Sequence, residues 1–335
     1  MEFAMEVKKF ENNNVVRQFG VISEDYYNKA FIERFGEEYK KYRNEWENSS
    51  REKTAAFPVH IDIEVNDKCN QACIMCPRNT VTHPEIGYDL GTKSVLGYNL
   101  FKEIIDEGVA NGVKSILLGQ FAEPLIHPEI IKFVKYASEK GIIDIRLITN
   151  GLLLHKYGDQ LIDSGLTNLF ISIDAVDENS YEGIRGKGYN TVVSNVESFI
   201  EKRNSSSSYP FPFVRVSFVD MQKNRHEKEA FYEKWSRIVD FVDIQPGDNL
   251  AKLPSKNITE EKSFSCVAPW QRMSIKSDGR VLPCCSFYGH HLPIGNLKDQ
   301  TMQMIWDSNE MSKVRKDIID EQSPVCETCQ HSSLK

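Results

Sequence analysis

From Val59 onward the chain alternates between two hydrophobic patterns. Short apolar, β-branched runs recur as VHIDIEV (59–65), KSILL (114–118), IDIRLIT (143–149), NLFISID (168–174), FVRVSFV (213–219) and DFVDI (240–244), and each reads as a strand. Between them lie helical patterns such as FKEIIDEGVANG, PEIIKFVKYASEKG and TVVSNVESFIEKR, two of which close on a glycine stop signal. Strand then helix, six times over, predicts a parallel sheet with crossover helices. Periodicity does not choose between an open doubly wound sheet and a barrel, but in both a ligand sits at the C-terminal ends of the strands.

The flanks differ in pattern. Residues 1–57 are polar, and FIERFGEEYKKYRNEW gives Phe31, Phe35, Tyr39 and Tyr42 roughly helical spacing. This predicts an N-terminal helical extension packed on the outside of the barrel, with a lid or substrate clamp as the alternative. NSSSSYPFP (204–212) reads as a flexible connection and NLAKLPSKNITEEKSFS (249–265) as a linker. The linker divides the strand–helix unit, residues 58–250, from a C-terminal module, residues 251–335. In that module QRMSIKSDGRVLPCC holds two extended stretches about Asp278-Gly279, a hairpin signal, and TMQMIWDSNEMSKVRKDII follows with helical spacing.

Composition narrows the partners. With 335 residues and a formal net charge of −7, the chain has no electrostatic bias toward nucleic acid or an anionic membrane. No apolar run approaches the ~20 residues of a membrane helix, and MEFAMEVKKFENNN lacks the apolar core of a signal peptide. The expectation is a cytoplasmic protein with a small-molecule substrate.

Eight cysteines fall into two groups. Cys69, Cys73 and Cys76 lie in one loop directly after the first strand, so three thiolates can converge on one metal centre. A four-iron cubane usually takes four thiolates, and three leave one iron open to a cofactor. A zinc loop completed by a distant cysteine is the alternative. Cys266, Cys284, Cys285, Cys326 and Cys329 form the second group, with seventeen residues between Cys266 and Cys284 and a CxxC pair at the end. Four of these five complete one site, for which structural zinc is again the alternative.

The CxxxCxxC loop resembles the radical S-adenosylmethionine superfamily, and the likeness extends over roughly residues 59–335. It implies a partial (β/α)6 TIM-like barrel within the α/β class. It also implies a [4Fe–4S] cluster on Cys69, Cys73 and Cys76 whose open iron chelates S-adenosylmethionine and cleaves it to a 5′-deoxyadenosyl radical. An electron donor such as flavodoxin or ferredoxin would supply the cluster. Gly119-Gln120-Phe121-Ala122-Glu123-Pro124-Leu125 is similar to the family's GGEP motif, with Ala122 in place of a common glycine. The resemblance puts its backbone and Gln120 against the cofactor, and Glu123 in the motif itself. Thr149-Asn150-Gly151 is similar to the family's TNG turn. Ser172, in Ser172-Ile173-Asp174, and Arg185 stand where related sequences grip the cofactor carboxylate, a task suited to the rigid guanidinium fork. Met75 takes the usually aromatic position near adenine. Gln245, Asp248 and Asn249, after the sixth strand, read either as pocket lining or as a solvated loop.

The second cysteine group resembles the auxiliary-cluster modules called SPASM and twitch. It implies one further [4Fe–4S] cluster on Cys266, Cys284, Cys326 and Cys329, with Cys285 as the alternative ligand, a buried bystander or a hydrogen donor. The reaction expected is oxidation of a sugar- or aminocyclitol-type alcohol, with epimerisation of a sugar or peptide and ribosomal-peptide maturation as alternatives. Anaerobic reconstitution is expected to give about eight iron and eight sulfide per chain. Stoichiometric zinc without sulfide would overturn the two-cluster inventory.

Overall fold

The computed structural model describes residues 16–51, 53–79, 94–246 and 266–327. All six expected parallel strands form: β2 (His60–Ile63), β3 (Ser115–Leu118), β4 (Asp144–Thr149), β5 (Asn168–Ser172), β6 (Phe213–Asp220) and β7 (Phe241–Pro246). They pair in order from β2 to β7, each neighbour parallel. The crossovers are α3 (Tyr98–Ala110), α4 (Ile130–Glu139), α5 (Leu154–Ile162), the pair α6 (Glu178–Ile184) and α7 (Tyr189–Asn204), and α8 (Lys228–Trp235). Gly112 and Gly141, at φ +89° and +91°, end α3 and α4 in the left-handed region that glycine enters without a Cβ penalty. Outward-facing Ile61, Ile63, Ile116, Leu118, Ile145 and Leu147 pack on these helices as the main core.

The inward faces are of another kind. His60 and Asp62 on β2, Asp144 on β4, Arg215 on β6 and Asp243 on β7 are all buried and polar. Each has a polar or charged partner on its own strand or a neighbouring one, as a buried charge requires. Asp144 accepts from Arg146 Nε at 3.0 Å, Asn168 Nδ2 at 3.0 Å and the Tyr42 hydroxyl at 3.0 Å.

Two extensions complete the sheet. A short strand that the sequence pattern did not announce, β1 (Val16–Phe19), adds antiparallel to β7. After it come α1 (Glu24–Phe35) and α2 (Glu37–Asn48), two helices where the spacing suggested one, because Gly36 turns the chain at φ +60°. They do not pack on the outer wall. Phe31, Tyr39 and Tyr42 cluster with Val59, Ile143, Phe213 and Phe241, residues at the N-terminal ends of strands, so the helices cap the barrel floor.

At the other edge, α9 (Ala268–Gln271) leads into β8 (Arg272–Ile275), parallel to β2, which returns through Asp278-Gly279 as β9 (Arg280–Leu282) and then β10 (Gly295–Asn296). The C-terminal module thus shares the barrel's sheet. α10 (Met302–Trp306), α11 (Asn309–Ile319) and α12 (Pro324–Glu327) follow, and the expected single helical stretch is split where Ser308 caps α11 by accepting from Met311 N. The 204–212 connection is organised by buried Arg203, which donates to the Pro210 and Pro212 carbonyls at 2.9 Å and pairs with Asp240 at 2.8 Å. No helix among the described residues is long and apolar enough to cross a membrane.

The floor cluster carries a direct test. Phe31→Ala removes a fully buried ring and is expected to cost about 3–5 kcal/mol in urea unfolding. Met304→Ala, 56% exposed, is expected to stay within about 0.5 kcal/mol. Equal midpoints for Phe31→Ala and wild type would show that the cap contributes nothing to the fold.

Candidate active site

Loops at the C-terminal ends of β2 to β5 converge on Cys69, Cys73 and Cys76. The turn from Cys73 to Cys76 is closed by Cys76 N–H donating to the Cys73 carbonyl at 3.0 Å. Ile74 N–H donates to the Ile184 carbonyl at 2.9 Å, and Gln71 Nε2 to the Tyr181 hydroxyl at 2.9 Å, so α6 backs the loop. Arg78 donates to the Phe121 carbonyl at 3.0 Å and also to that of Asp67; Asn66 Nδ2 donates to the Glu123 carbonyl at 3.0 Å. The cysteine loop and the 119–125 loop are therefore one stitched unit. Sequence patterns missed Asn66, Arg78 and Tyr181, since nothing local marks a residue that bonds a distant carbonyl.

Glu123 is buried, and its carboxylate accepts from Thr149 Oγ1 at 2.7 Å, Asn150 N–H at 2.7 Å and Leu125 N–H at 3.0 Å. Burial raises its pKa, against the pull of those donors. Glu123 and Thr149 thus spend their polar atoms on each other rather than on a ligand, and they fix the two loops' relative position. Asn150 Nδ2 reaches Asn70 Oδ1 at 2.7 Å, which ties the TNG turn to the cysteine loop. Gly119 holds φ +81°, and a Cβ there would meet Pro124 at 2.8 Å, so the turn before Gln120 requires glycine.

Arg185 is held within the protein by Asp174: its Nε donates to Asp174 Oδ2 at 2.7 Å and its Nη2 pairs with the same carboxylate. Its Nη1 lies 3.6 Å from Cys73 Sγ. Asp174, at φ +65°, is fixed in turn by Val219 N–H at 2.7 Å. These contacts link the segment after β5 to the cysteine loop. Ser172 ends β5 on the inward face and is half-buried, and Met75 is half-buried within the cysteine loop.

The residues fit an iron–sulfur cluster by their chemistry. Burial pushes all three thiols up, Cys73 to about 11 even with Arg185 beside it. Three thiols, Cys69 exposed and Cys73 and Cys76 half-buried, with a guanidinium N–H against one sulfur, form a donor set suited to a positively charged centre that takes them as thiolates. A cubane takes one thiolate per iron, which three cysteines of one loop can supply to three of its irons.

The second group is assembled from distant segments. Cys266, Cys284, Cys285 and Cys326 line one small apolar pocket with Pro269, Leu292, Val314, Ile318 and Val325. Ala268 N–H points at Cys266 Sγ at 3.5 Å. A Cβ on Gly289 would meet Cys284 Sγ at 2.8 Å, so glycine keeps the cradle open there. The seven described cysteines are all thiols. Cys329, Asp248 and Asn249 lie outside the described residues; Gln245, one residue before the end of β7, pairs opposite Val219. Gln120 does not point to open space: its Nε2 donates to the Cys285 carbonyl at 2.8 Å and joins the two cysteine groups.

Comparison with known proteins matches this geometry. The model of the radical SAM superfamily covers residues 63–212, and that of SPASM, an iron–sulfur cluster-binding domain, covers residues 266–330. The chain carries a radical SAM domain followed by a SPASM domain. The matched domains take S-adenosylmethionine and two [4Fe–4S] clusters as cofactors. Among curated relatives, the GTP 3′,8-cyclase of Thermodesulfovibrio yellowstonii is 29% identical over 200 residues, 58% of each chain. The probable GTP 3′,8-cyclase of Methanococcus aeolicus is 30% identical over 198 residues, 57% of this chain and 61% of the relative. The radical SAM chain therefore spans about three fifths of these relatives' length. Among solved structures, BtrN in complex with AdoMet and 2-DOIA superposes with TM-score 0.54 at 17% identity, over 83% of this chain and 97% of BtrN. Streptococcus suis SuiB bound to S-adenosylmethionine gives 0.56 at 14% identity, over 88% and 74%. At these identities the likeness is one of fold.

The Asp174–Arg185 pair generates a prediction. Asp174→Asn leaves a buried guanidinium without its counter-charge and is expected to cost about 3–5 kcal/mol. Adding Arg185→Met should recover part of the loss, read from urea midpoints as a double-mutant cycle. Asp174→Asn unfolding at the wild-type midpoint would remove the pair from any role in holding the loop.

Proposed function

We propose that this radical SAM enzyme oxidises a small polar substrate at a sugar- or aminocyclitol-type alcohol carbon. The observation that carries the reading is the Gln120–Cys285 hydrogen bond, which sets the auxiliary cysteines against the loop stitched to Cys69, Cys73 and Cys76. Oxidation of an alcohol to a ketone removes two electrons and two protons, and a hydrogen atom accounts for one of each. When bound, the cofactors supply the two capacities this requires, hydrogen-atom abstraction at the first cysteine loop and one-electron acceptance at the second site.

The chain's own residues position these ends. Cys69, Cys73 and Cys76 would hold the first cluster, and Cys266, Cys284, Cys326 and Cys329 the second. Ser172, the backbone of Phe121 and Ala122, and Met75 would bound the S-adenosylmethionine pocket, with Gln120 and Asn150 bracing its walls. Flavodoxin or ferredoxin is the class of electron donor the first cluster needs. The relatives that act on GTP and the BtrN complex with 2-DOIA support small substrates; SuiB bound to precursor peptide SuiA is the contrasting case.

A second reading is favoured by the same contact. Cys285 lies beside the loop after β3, and a thiol there would return a hydrogen atom to the substrate in an epimerase. Deuterium at the reacting carbon is expected to appear in 5′-deoxyadenosine, with one S-adenosylmethionine consumed per ketone and no solvent deuterium in the product. Solvent deuterium in a redox-neutral product, lost in Cys285→Ala, would replace oxidation by epimerisation. Ala at Cys69, Cys73 or Cys76 is expected to abolish cofactor cleavage, while Ala at Cys266 or Cys284 retains part of it.

A further inference from the structure

The three sulfurs of the first cysteine loop are not equivalent. Backbone N–H groups from two residues along the loop, those of Gln71 and Arg78, act on Cys69 and Cys76. Cys73 instead takes a side-chain N–H from another element. Arg185, the residue that ends α6, places Nη1 3.6 Å from its Sγ. As a thiol, Cys73 also lies 3.9 Å from Gln71 Oε1, a bond that a thiolate, having no proton to donate, does not make.

The Arg185 N–H is aimed by a series of buried contacts. The backbone N–H of Arg185 donates to the Tyr181 carbonyl at 2.7 Å. Its Nε donates to Asp174 Oδ2 at 2.7 Å, and Nη2 pairs with the same carboxylate. Asp174 is itself fixed: Oδ1 accepts from Val219 N–H at 2.7 Å, and its carbonyl accepts from Asn224 Nδ2 at 2.8 Å. Asp174 and Asn224 are fully buried. The carboxylate occupies the guanidinium edge formed by Nε and Nη2, which leaves Nη1 on the side of Cys73. An arginine without such support would lose rotamer freedom to hold that angle; here the angle is set when the barrel folds.

We infer that Arg185 sets the reduction potential of the first cluster through its Nη1–H on Cys73 Sγ, with Asp174 as the residue that holds it there. The inference rests on Cys69, Cys73 and Cys76 being that cluster's ligands. Cluster potentials depend on net charge and on hydrogen bonds to the sulfurs. Reduction adds one negative charge that the sulfurs share. A donor aimed at a sulfur therefore stabilises the reduced form more than the oxidised form and raises the potential. Low exposure strengthens the effect, because little water screens it. Asp174 opposes it with its own charge, but it lies behind the guanidinium, so the positive end of the pair is the end nearer the sulfur. The direction is upward, and an electron enters this site more readily with Arg185 in place than without it.

Anaerobic redox titration of the reconstituted full chain, followed by electron paramagnetic resonance, tests this. The signal that changes when S-adenosylmethionine is added belongs to the cluster with the open iron, whichever cysteines hold it. The other signal is an internal reference. Arg185→Met is expected to lower the first reduction constant at least tenfold, about 59 mV for one electron. The double variant Asp174→Asn/Arg185→Met removes both charges together with the sulfur bond and avoids a lone buried carboxylate. It is expected to lower the constant at least threefold, about 28 mV on the same scale. Neither change moves the reference. A purely structural role would reduce iron content and leave the potential where it is. An unchanged potential in the double variant would overturn the inference, and so would an equal shift of the reference. Wild-type chain carrying nitrogen-15 in its arginine guanidinium groups needs no variant to fold: a nitrogen-15 hyperfine coupling is expected on the S-adenosylmethionine-responsive signal, and its absence would also overturn the inference. The ligand reading is tested separately. Cys73→Ala is expected to abolish that signal, and persistence of the signal would count against the cysteine assignment rather than against Arg185.

Discussion

The structure depends on keeping charge inside a parallel barrel. Parallel sheets usually bury apolar residues on both faces. Here the outward face obeys that rule and the inward face carries Asp62, Asp144, Arg215, Asp243 and Lys276 at low exposure. A single buried charge without a partner costs several kcal/mol, and pairing offsets that cost only when the geometry is good. The barrel meets the condition by pairing neighbours: Asp62 with Arg272 at 3.4 Å, Glu64 with Lys276 at 2.7 Å, Asp144 with Arg146, and Asp243 with Arg215.

Two of those pairs join β2 to β8, and their consequence is architectural. Ser274 also donates to Asp62 at 3.0 Å. The auxiliary cysteines follow from this seam, since Cys266 precedes α9 and β8 and Cys284 follows β9. The seam thus sets where the second cysteine group can lie relative to the first, and the Gln120–Cys285 bond sets it from the other side. Charge pairing inside the barrel and the placement of two redox-capable sites are one structural fact.

Much of this was legible in the sequence because it is local. Six strands announced themselves as β-branched runs, the Asp278-Gly279 hairpin by its turn, and the first cysteine loop by spacing alone. What was not legible depends on residues far apart. IDIRLIT reads as an apolar strand; that Asp144 and Arg146 face inward and answer to Tyr42, about a hundred residues away, follows only from the folded sheet and its cap. Arg185 read either as a grip on the cofactor carboxylate or as a surface arginine; its bond to Asp174, eleven residues away, appears only in the folded chain. β1 is a four-residue edge strand whose pairing partner comes more than two hundred residues later, and no local periodicity encodes such a pair. The break at Gly36 turned a predicted wall helix into a two-helix cap because the aromatic stripe matched strand ends better than crossover helices.

That cap changes what the barrel is for. A barrel with an apolar filling is a packed core, and its chemistry is confined to the loops at one end. With charged inward faces and a floor closed by Phe31, Tyr39 and Tyr42 rather than filled from within, the lower interior holds a cavity, and the segment after Cys266 is in its wall. The same Asp144 that anchors the cap through Tyr42 orients Arg146 toward the space beneath. Asp144 thus serves both the cap and the inward strand faces, so the interior can be both polar and well ordered.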